Sequence, residues 1–444
     1  MENKLYDVTA LGELLIDFTE NGNSSQGNPT FEANPGGAPC NVLAMLNRLG
    51  KKTAFIGKVG NDMFGKQLKA AVEECGIDTR NLVMDDEIHT TLAFVHTYPD
   101  GDRDFSFYRN PGADMMLTKD EVDAELIRNS RIFHFGTLSS THEGVREATR
   151  YALDVAKEAN CIITFDPNLR PPLWKDLNDA RKEIEYGMER CDVLKISDNE
   201  VEFLFDTTDY DKGAALIEEK YHIPLVLITM GKDGSRAYYK GRRVECAPFL
   251  QEHTIETTGA GDTFCASILN YVLEHGLEDL SDENLMEMLT FANAGASLIT
   301  TRKGALRVMP TREEVKEFIA KSGDISISIS GTPSGEVSIF SPAAFSHLAA
   351  CFFWSFLQVA GESTPSAFFT GENSSPRAPS IMTGFLAMGR ASKTNISNFI
   401  PFGLSGFTCV PESSTNGIFL SARWNGSFAP PDEPPKLRLN AVMY

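Results

Sequence analysis

The sequence lacks the spacing marks of a cross-linked or metal-stapled protein. Its eight cysteines, at positions 40, 75, 161, 191, 246, 265, 351 and 409, include no CxxC pair. That scatter argues for reduced thiols rather than a disulfide framework or a zinc site. Basic charge is also scarce, with 41 Lys and Arg against 61 Asp and Glu and a formal net charge of -20. Phosphate backbones recruit basic faces, so nucleic acid is not an expected partner. The opening stretch, MENKLYDVTALGELLIDF, has no basic region followed by a long apolar core. It does not read as a secretion signal, and a cytoplasmic protein is expected. One uncharged segment, residues 343–361, reaches 19 residues, near the length that crosses a bilayer. It contains His347, Gln358 and two serines and ends without a basic cluster, which argues against membrane insertion.

What is present divides the chain in two. From Ser322 onward there are seven acidic and six basic residues, so nearly all the excess acid lies before that point. The earlier part alternates short apolar runs with amphipathic segments: TAFIGKVG before KQLKAAVEECG, GVREATRYALDVAKEAN before CIITFDPN, and KGAALIEEKYH before LVLITMG. Such alternation predicts βαβ units and a parallel sheet covered on both faces. The stretch TTLAFVHTYPDGDRDFSFYR instead alternates with period two around PDGD, which predicts a hairpin; with GELLIDFTE it would form a small separate sheet. Beyond Lys321 the sequence is rich in Ser, Pro, Gly and Phe, without sustained periodicity. This extension is expected to take no part in catalysis.

Three stretches carry chemistry. In TTGAGDTF, residues 257–264, a glycine turn runs into a helix whose apolar stripe is Phe264, Ile268, Tyr271 and Val272 and whose stop is Gly276. Free amides and the helix dipole at such a start favour an anion, and Asp262 stands where it could deprotonate a hydroxyl beside it. The same residues would also serve an ordinary capped helix start. In NPGGAPCNVLAMLNRLG, residues 34–50, a second glycine turn enters a helix with a proline near its first position. Gly36 and Gly37 permit close backbone approach, Asn41 offers both a donor and an acceptor, and Asp17 ends a strand-like run. Together they suit a polyol's hydroxyls, although a strand-end aspartate in a turn is also ordinary. In SDNEVE, residues 197–202, Ser197 and Glu200 have capping-box spacing, and Asn199 and Glu202 share a helical face that suits hydrated Mg²⁺. A capped, solvated helix explains that stretch equally well. GNDMFGKQ, residues 60–67, nearly spells a P-loop, but Gln67 stands where Ser or Thr would ligate magnesium.

Taken together, PGGAPCN with LGKKTAFIGKVGNDMFG, and TTGAGDTF, resemble the two signatures of the PfkB carbohydrate kinases, the ribokinase-like family. FSFYRNPGADMML, FDPNLRPPLW and ISDNEVEFL are similar to the intervening blocks of its fructokinase branch. The resemblance runs from Asp7 to Ile319. It implies a ribokinase-like Rossmann-type three-layer α/β sandwich over residues 1–320, with small lid strands at about 13–33 and 88–112, and a non-family extension over 321–444. It implies ATP-dependent phosphorylation of the 6-hydroxyl of fructose, with another sugar or a nucleoside, or a catalytically silent sugar binder, as the alternatives.

By the same resemblance Asp262 is the catalytic base, and Gly259, Ala260 and Gly261 form the anion hole. Asp17, Gly36, Gly37 and Asn41 hold the sugar, and Arg109 and Arg170 contact sugar or transferring phosphate. Lys195, Thr229, Gly231, Gly234, Asn293 and Gly304 fall in ATP-binding blocks. Asn199 and Glu202 hold Mg²⁺ through water, and Glu256, Thr258, Ile299, Arg302 and Gly304 surround a potassium ion. Glu256 departs from the family's usual Asp. A homodimer paired through the lids is a further implication.

Overall fold

In a computed structural model of the chain, residues 4–97, 103–251, 253–323, 329–331 and 337–339 are described. Tertiary contacts divide the chain into two units, Met1–Ser322 and Gly323–Tyr444. The first begins β1 (Tyr6–Leu11), β2 (Leu15–Asn23), β3 (Pro29–Gly36), α1 (Ala38–Arg48), β4 (Thr53–Gly60), α2 (Met63–Glu74) and β5 (Asp78–Asp85). It continues through β6 (Leu92–Thr97), β7 (Arg103–Tyr108), α3 (Ala124–Arg128), β8 (Ser130–Phe135), α4 (Glu143–Glu158), β9 (Ile162–Phe165) and α5 (Leu177–Met188). Then follow β10 (Val193–Ser197), α6 (Asp198–Phe205), α7 (Tyr210–Tyr221), β11 (Leu225–Thr229), β12 (Ser235–Tyr239) and β13 (Arg242–Cys246). Three helices close it: α8 (Ala260–His275), α9 (Asp282–Ile299) and α10 (Arg312–Gly323).

Nine strands form the main sheet in the order β13-β12-β11-β10-β9-β8-β1-β4-β5. From β11 to β5 all neighbours are parallel. Their side chains alternate between two cores. Along β11, Leu225 and Leu227 face the core that includes α1, α8 and α9, while Val226 and Ile228 face the core of α4, α5 and α7. Helices on both faces explain why these strands read as nearly continuous apolar runs. The expected parallel sheet is extended by one antiparallel edge: β12 and β13 pair with β11 and with each other. Lys240 (φ 49°) and Gly241 (φ 72°) make the tight turn between them, the two positive φ values that a two-residue hairpin of this type requires.

The predicted hairpin and its companion strand form the small second sheet, in the order β3-β2-β6-β7. β2 pairs with β3 antiparallel and with β6 parallel, and β6 pairs with β7 antiparallel. Residues opposite one another share a face, so Phe18, Phe94 and Phe31 stand on one side and Asp17 and Asn34 on the other. In the second unit, β14 (Ile329–Gly331) and β15 (Val337–Ile339) pair antiparallel. The apolar segment 343–361, and the expectation that it does not insert into a membrane, lie outside the described residues. Among the described residues no helix is long and apolar enough to cross a bilayer.

Parallel strands bring their carboxyl ends to one edge, where the loops after β1, β8, β9 and β10 converge. α8 packs against both α1 and α9, with its first turn facing that edge.

Candidate active site

The site begins with two helix starts that glycine makes possible. Gly37 caps α1 with φ 126°, and a Cβ there would lie 2.4 Å from the Glu13 carbonyl oxygen. Gly259 caps α8 in the left-handed region at φ 78°, and its Cβ would lie 2.9 Å from that of Ala305. A larger residue at either point would meet both backbone strain and a neighbour. Beyond Gly259, the amides of Gly261 and Asp262 lie in the first helical turn, where no carbonyl four residues back serves them, while the Ala260 amide donates to the Thr257 carbonyl at 3.3 Å.

These two starts meet side chain to side chain. Asn41 Nδ2 donates to Asp262 Oδ2 at 2.8 Å across 221 residues of sequence. Asn41 is buried and its Oδ1 has no partner, leaving an acceptor beside the carboxylate. Loss of hydration pushes the Asp262 carboxyl up to about 6; the bond from Asn41 pulls it down, Asp166 pushes it up, and Lys195 and Arg170 draw it down again. A carboxylate in that range is charged at neutral pH yet basic enough to accept a proton.

Lys195 Nζ forms the floor. It lies 3.0 Å from Asp166 Oδ2, with both side chains buried, and 3.4 Å from where a Cβ on Gly261 would be. Burial by itself would lower the pKa of the lysine, but Asp166 and then Glu200 outweigh it and hold the ammonium above its usual range. The resemblance put Lys195 in an ATP-binding block; the structure puts it beneath the glycine turn. Arg170 sits at the loop after β9, where its guanidinium makes a hydrogen bond to the adjacent Leu169 carbonyl. It is near enough to Asp262 to lower its pKa. Glu200 fixes that loop: Oε1 accepts from the Leu169 amide at 2.7 Å, while Oε2 accepts from the amide and hydroxyl of Ser197 in the expected capping box.

A pocket opens beside Asp262, lined also by Glu13, Ala38, Pro39, His134, Asp166 and Asn168. Glu13 and His134 carry chemistry that the sequence reading missed. Glu13 is 4% exposed, and burial pushes its carboxyl up to about 7, against hydrogen bonds from backbone amides and the nearby Arg109. His134 is buried, with Nδ1 3.0 Å from Thr164 Oγ1. Burial first, then Lys195, lowers it to about 4, so its ring is neutral at physiological pH. The only sequence signal for either was a polar residue inside an apolar run, GELLID and IFHFG.

The remaining expected residues separate into groups. Asp17 Oδ2 lies 2.1 Å from where a Cβ on Gly36 would be, so a side chain there would displace the Asp17 carboxylate. Arg109 is not open to the cleft. Its side chain is 2% exposed and donates to Asp114 Oδ2 (2.8 and 2.6 Å), Thr141 Oγ1 (2.7 Å) and the Leu138 carbonyl (3.0 Å). Asp114 in turn accepts from Thr91 at 2.5 Å. Arg109 therefore ties the foot of the lid to the loop after β8.

On the far side of the glycine turn, Thr229 ends β11, and Gly231 and Gly234 bracket the short turn leading to β12. Asn293 spends its amide on the carbonyls of Cys246 (3.2 Å) and Ala247 (3.1 Å) and accepts from Ser235 Oγ at 2.9 Å, fastening β13 to α9. Asn199 is exposed, and Glu202 accepts from Tyr210 at 3.2 Å. Glu256 Oε1 accepts from the Gly304 amide at 2.8 Å, and the Arg302 amide donates to the Ile299 carbonyl at 3.0 Å. Glu256, Ile299, Arg302 and Gly304 thus share one bend beside Thr258. Among the described residues, no group of three His, Cys, Asp or Glu side chains converges as a metal site.

Comparison with known proteins shows the family to which the chain belongs. A sequence profile described as pfkB family carbohydrate kinase matches residues 6–312. The chain is 40% identical over 314 residues to "Probable fructokinase-2" of Arabidopsis thaliana, a match that spans 70% of this chain and 95% of that protein. The structure superposes on a fructokinase with bound ATP from Xylella fastidiosa with a TM-score of 0.66 and 30% identity, covering 72% of this chain and all of that one. A fructokinase from Vibrio cholerae O395 in its fructose, ADP and calcium ion bound form gives a TM-score of 0.62 at 25% identity, over 71% and 99% of the two chains.

The pH dependence follows from Asp262. If Asp262 serves as the base its carboxylate must be ionised, and kcat/KM should then fall as pH drops through about 6. Asn41→Ala removes the hydrogen bond that stabilises the ionised form and should move this acid limb upward by about half a pH unit or more. A pH–rate profile in which the limb stays in place would detach Asn41 from the ionisation of Asp262.

Proposed function

The chain belongs to the pfkB family of carbohydrate kinases, and on that premise we propose that it is an ATP-dependent fructokinase that phosphorylates the primary 6-hydroxyl of fructose. The observation that carries this reading is the Asn41–Asp262 pair set at the amide-rich start of α8. Asp262 accepts the hydroxyl proton as the oxygen attacks. The amides of Gly259, Ala260 and Gly261 and the Arg170 cation stabilise the charge on the transferring group, which is where electrostatic preorganisation contributes most. Asp17, the Gly36–Gly37 turn and the unpaired Asn41 Oδ1 grip the sugar. Lys195 holds the floor of the anion turn, while Thr229, Gly231, Gly234 and Gly304 shape the nucleotide side.

Magnesium would arrive with ATP and keep most of its waters, so the exposed Asn199 amide and the Glu202 carboxylate would meet it through water. The bend made by Glu256, Thr258, Ile299, Arg302 and Gly304 offers oxygen donors of the kind a monovalent cation takes. Glu256 reaches the Gly304 amide across the extra methylene that distinguishes it from Asp. The six described cysteines are all free, and five are buried, which suits a reducing compartment such as the cytoplasm.

Asp262→Asn should lower kcat by several orders of magnitude and leave ATP and fructose affinity close to wild type, because the lost interaction belongs to the transition state. Coupled ADP detection over fructose, ribose, 2-keto-3-deoxygluconate and nucleosides tests the acceptor. An Asn variant retaining about a tenth of wild-type kcat would remove Asp262 as base, and a preferred acceptor other than fructose would replace the substrate named here.

Residues 1–320 are proposed as the complete kinase domain, with the extension outside the catalytic machinery. A chain ending at Lys321 should keep the kcat/KM of the full chain for fructose. A soluble but inactive truncation would overturn that division.

The lid has the surface of a pairing element. Phe94 packs on Phe18 (4.7 Å between centroids), Tyr108 (5.4 Å) and Phe31 (5.5 Å), while Tyr108 is 66% and Phe31 41% exposed. An aromatic face of this kind, rimmed by polar residues, fits a second copy of the chain. Sedimentation should show a dimer that Phe31→Glu weakens; a wild-type monomer at micromolar concentration would rule out pairing through the lid.

A further inference from the structure

One buried acid has a place in the site that the phosphoryl-transfer reading leaves unused. Glu13 follows β1 and turns its carboxylate onto the start of α1, where Oε1 accepts from the Ala38 amide at 2.9 Å. Ala38 is the first residue of that helix, and Asn41, three positions on, makes the bond to Asp262. The fit is tight on both strands of the junction. A Cβ on Gly37 would lie 2.4 Å from the Glu13 carbonyl oxygen, and one on Gly12 would lie 2.5 Å from Pro39 Cγ.

We propose that Glu13 is a positioning residue for the reaction: by holding the Ala38 amide it fixes the first turn of α1, and with it the reach of Asn41 to Asp262. The inference rests on the kinase reading given above. A helix start with no side-chain cap of its own is otherwise held only by backbone packing. Glu13 supplies the acceptor from a neighbouring strand end, where the helix dipole also favours a negative group. Charged and titratable groups facing it are Arg109 and Asp114 at the lid's foot, Cys40 on α1, and His134, Asp166 and Asp262 across the pocket. Burial, rather than any one of these, sets its affinity for a proton. What matters for Asn41 is the length and direction of the side chain, because a one-methylene retreat would withdraw Oε1 from Ala38.

The roles of reach and charge can be separated by substitution. Glu13→Gln keeps an oxygen at the same distance without the charge; Glu13→Asp keeps the charge and shortens the arm. Ala38→Pro removes the donor from the other side, at a first helical position that tolerates proline and after a glycine whose ψ of 117° suits it. The readout is the protonation midpoint of Asp262, followed by carboxyl carbon NMR on the full chain, with the acid limb of kcat/KM measured beside it. The NMR readout stands whether or not fructose is the acceptor.

Glu13→Asp and Ala38→Pro should both raise the midpoint above about 6, in the direction of Asn41→Ala, and Glu13→Gln should leave it in place. Combining Glu13→Asp with Asn41→Ala should add nothing to Asn41→Ala alone, since both act through one hydrogen bond. The proposal is overturned if Glu13→Gln shifts the midpoint as far as Glu13→Asp does, if the two effects add, or if the short variant leaves Asp262 unchanged. Should Glu13→Asp fail to fold, Ala38→Pro and Glu13→Gln decide the matter by the same criteria.

Discussion

The hydrogen bond from Asn41 to Asp262 is the constraint around which the kinase unit is arranged. It joins the first turns of two helices that enter the fold 221 residues apart. For it to form, α1 and α8 must pack together, and each must start abruptly at the carboxyl edge of the sheet. Gly37 and Gly259 provide those starts by taking backbone angles that place their neighbours where a Cβ would collide. A first-turn position then brings a carboxylate and first-turn amides to the same cleft from the same few residues.

The charge around that bond is balanced in a particular order. Asp166 is close enough to Asp262 to disfavour its ionisation, and Lys195 and Arg170 offset that effect. Lys195 is spent on Asp166 beneath the turn, in a pair buried on both sides. A buried pair of this kind adds little to stability for its own sake, because desolvation offsets much of the attraction. Its value here lies in where it holds the positive charge. Arg170, by contrast, makes no ion pair among the described residues and remains available to an incoming anion. The separation of a fixed cation from one without an ion pair would suit a site that binds and releases an anion beside a carboxylate that stays ionised until it takes a proton.

Much of this was legible in sequence because it is local. The glycine turn before Asp262, the glycine turn before Asn41 and the capping box at Ser197 and Glu200 each lie within a few residues, and each formed at the expected place. The small sheet was legible for the same reason, since a period-two run about a turn predicts a hairpin without distant partners. The failures have the opposite character. Glu13 and His134 sit in apolar strand ends, and nothing within several residues says which surface they face. For Arg109 the resemblance implied a contact with sugar or phosphate, and nothing local announced that its donors go to Asp114, Thr141 and Leu138, partners set by the fold of the lid's foot. Asn293 likewise serves Ser235, Cys246 and Ala247. The hairpin of β12 and β13 was not read from the sequence, although YYKGRR carries the turn chemistry for it.

The two sheets divide the work according to rigidity. Groups that must hold sub-ångström relations, Asp262, Asn41, Asp166 and Lys195, are carried on or next to the main sheet and its helices, where both faces are packed. The lid contributes Asp17 from one face and an aromatic cluster from the other. Its contact with the nucleotide-side bend is made by surface groups, Lys303 with Glu32 at 2.5 Å and with Asn21 at 3.1 Å. Exposed ion pairs of this sort contribute on the order of 1 kcal/mol or less, so they can be made and broken on a catalytic timescale. Arg109 marks the boundary, because its buried bonds to Asp114 and Thr141 anchor the foot of the small sheet to the loop after β8. A sheet anchored at its foot in that way would leave Asp262 in place if its strands moved, because Asp262 is held by α8 and Asn41 and not by the sheet.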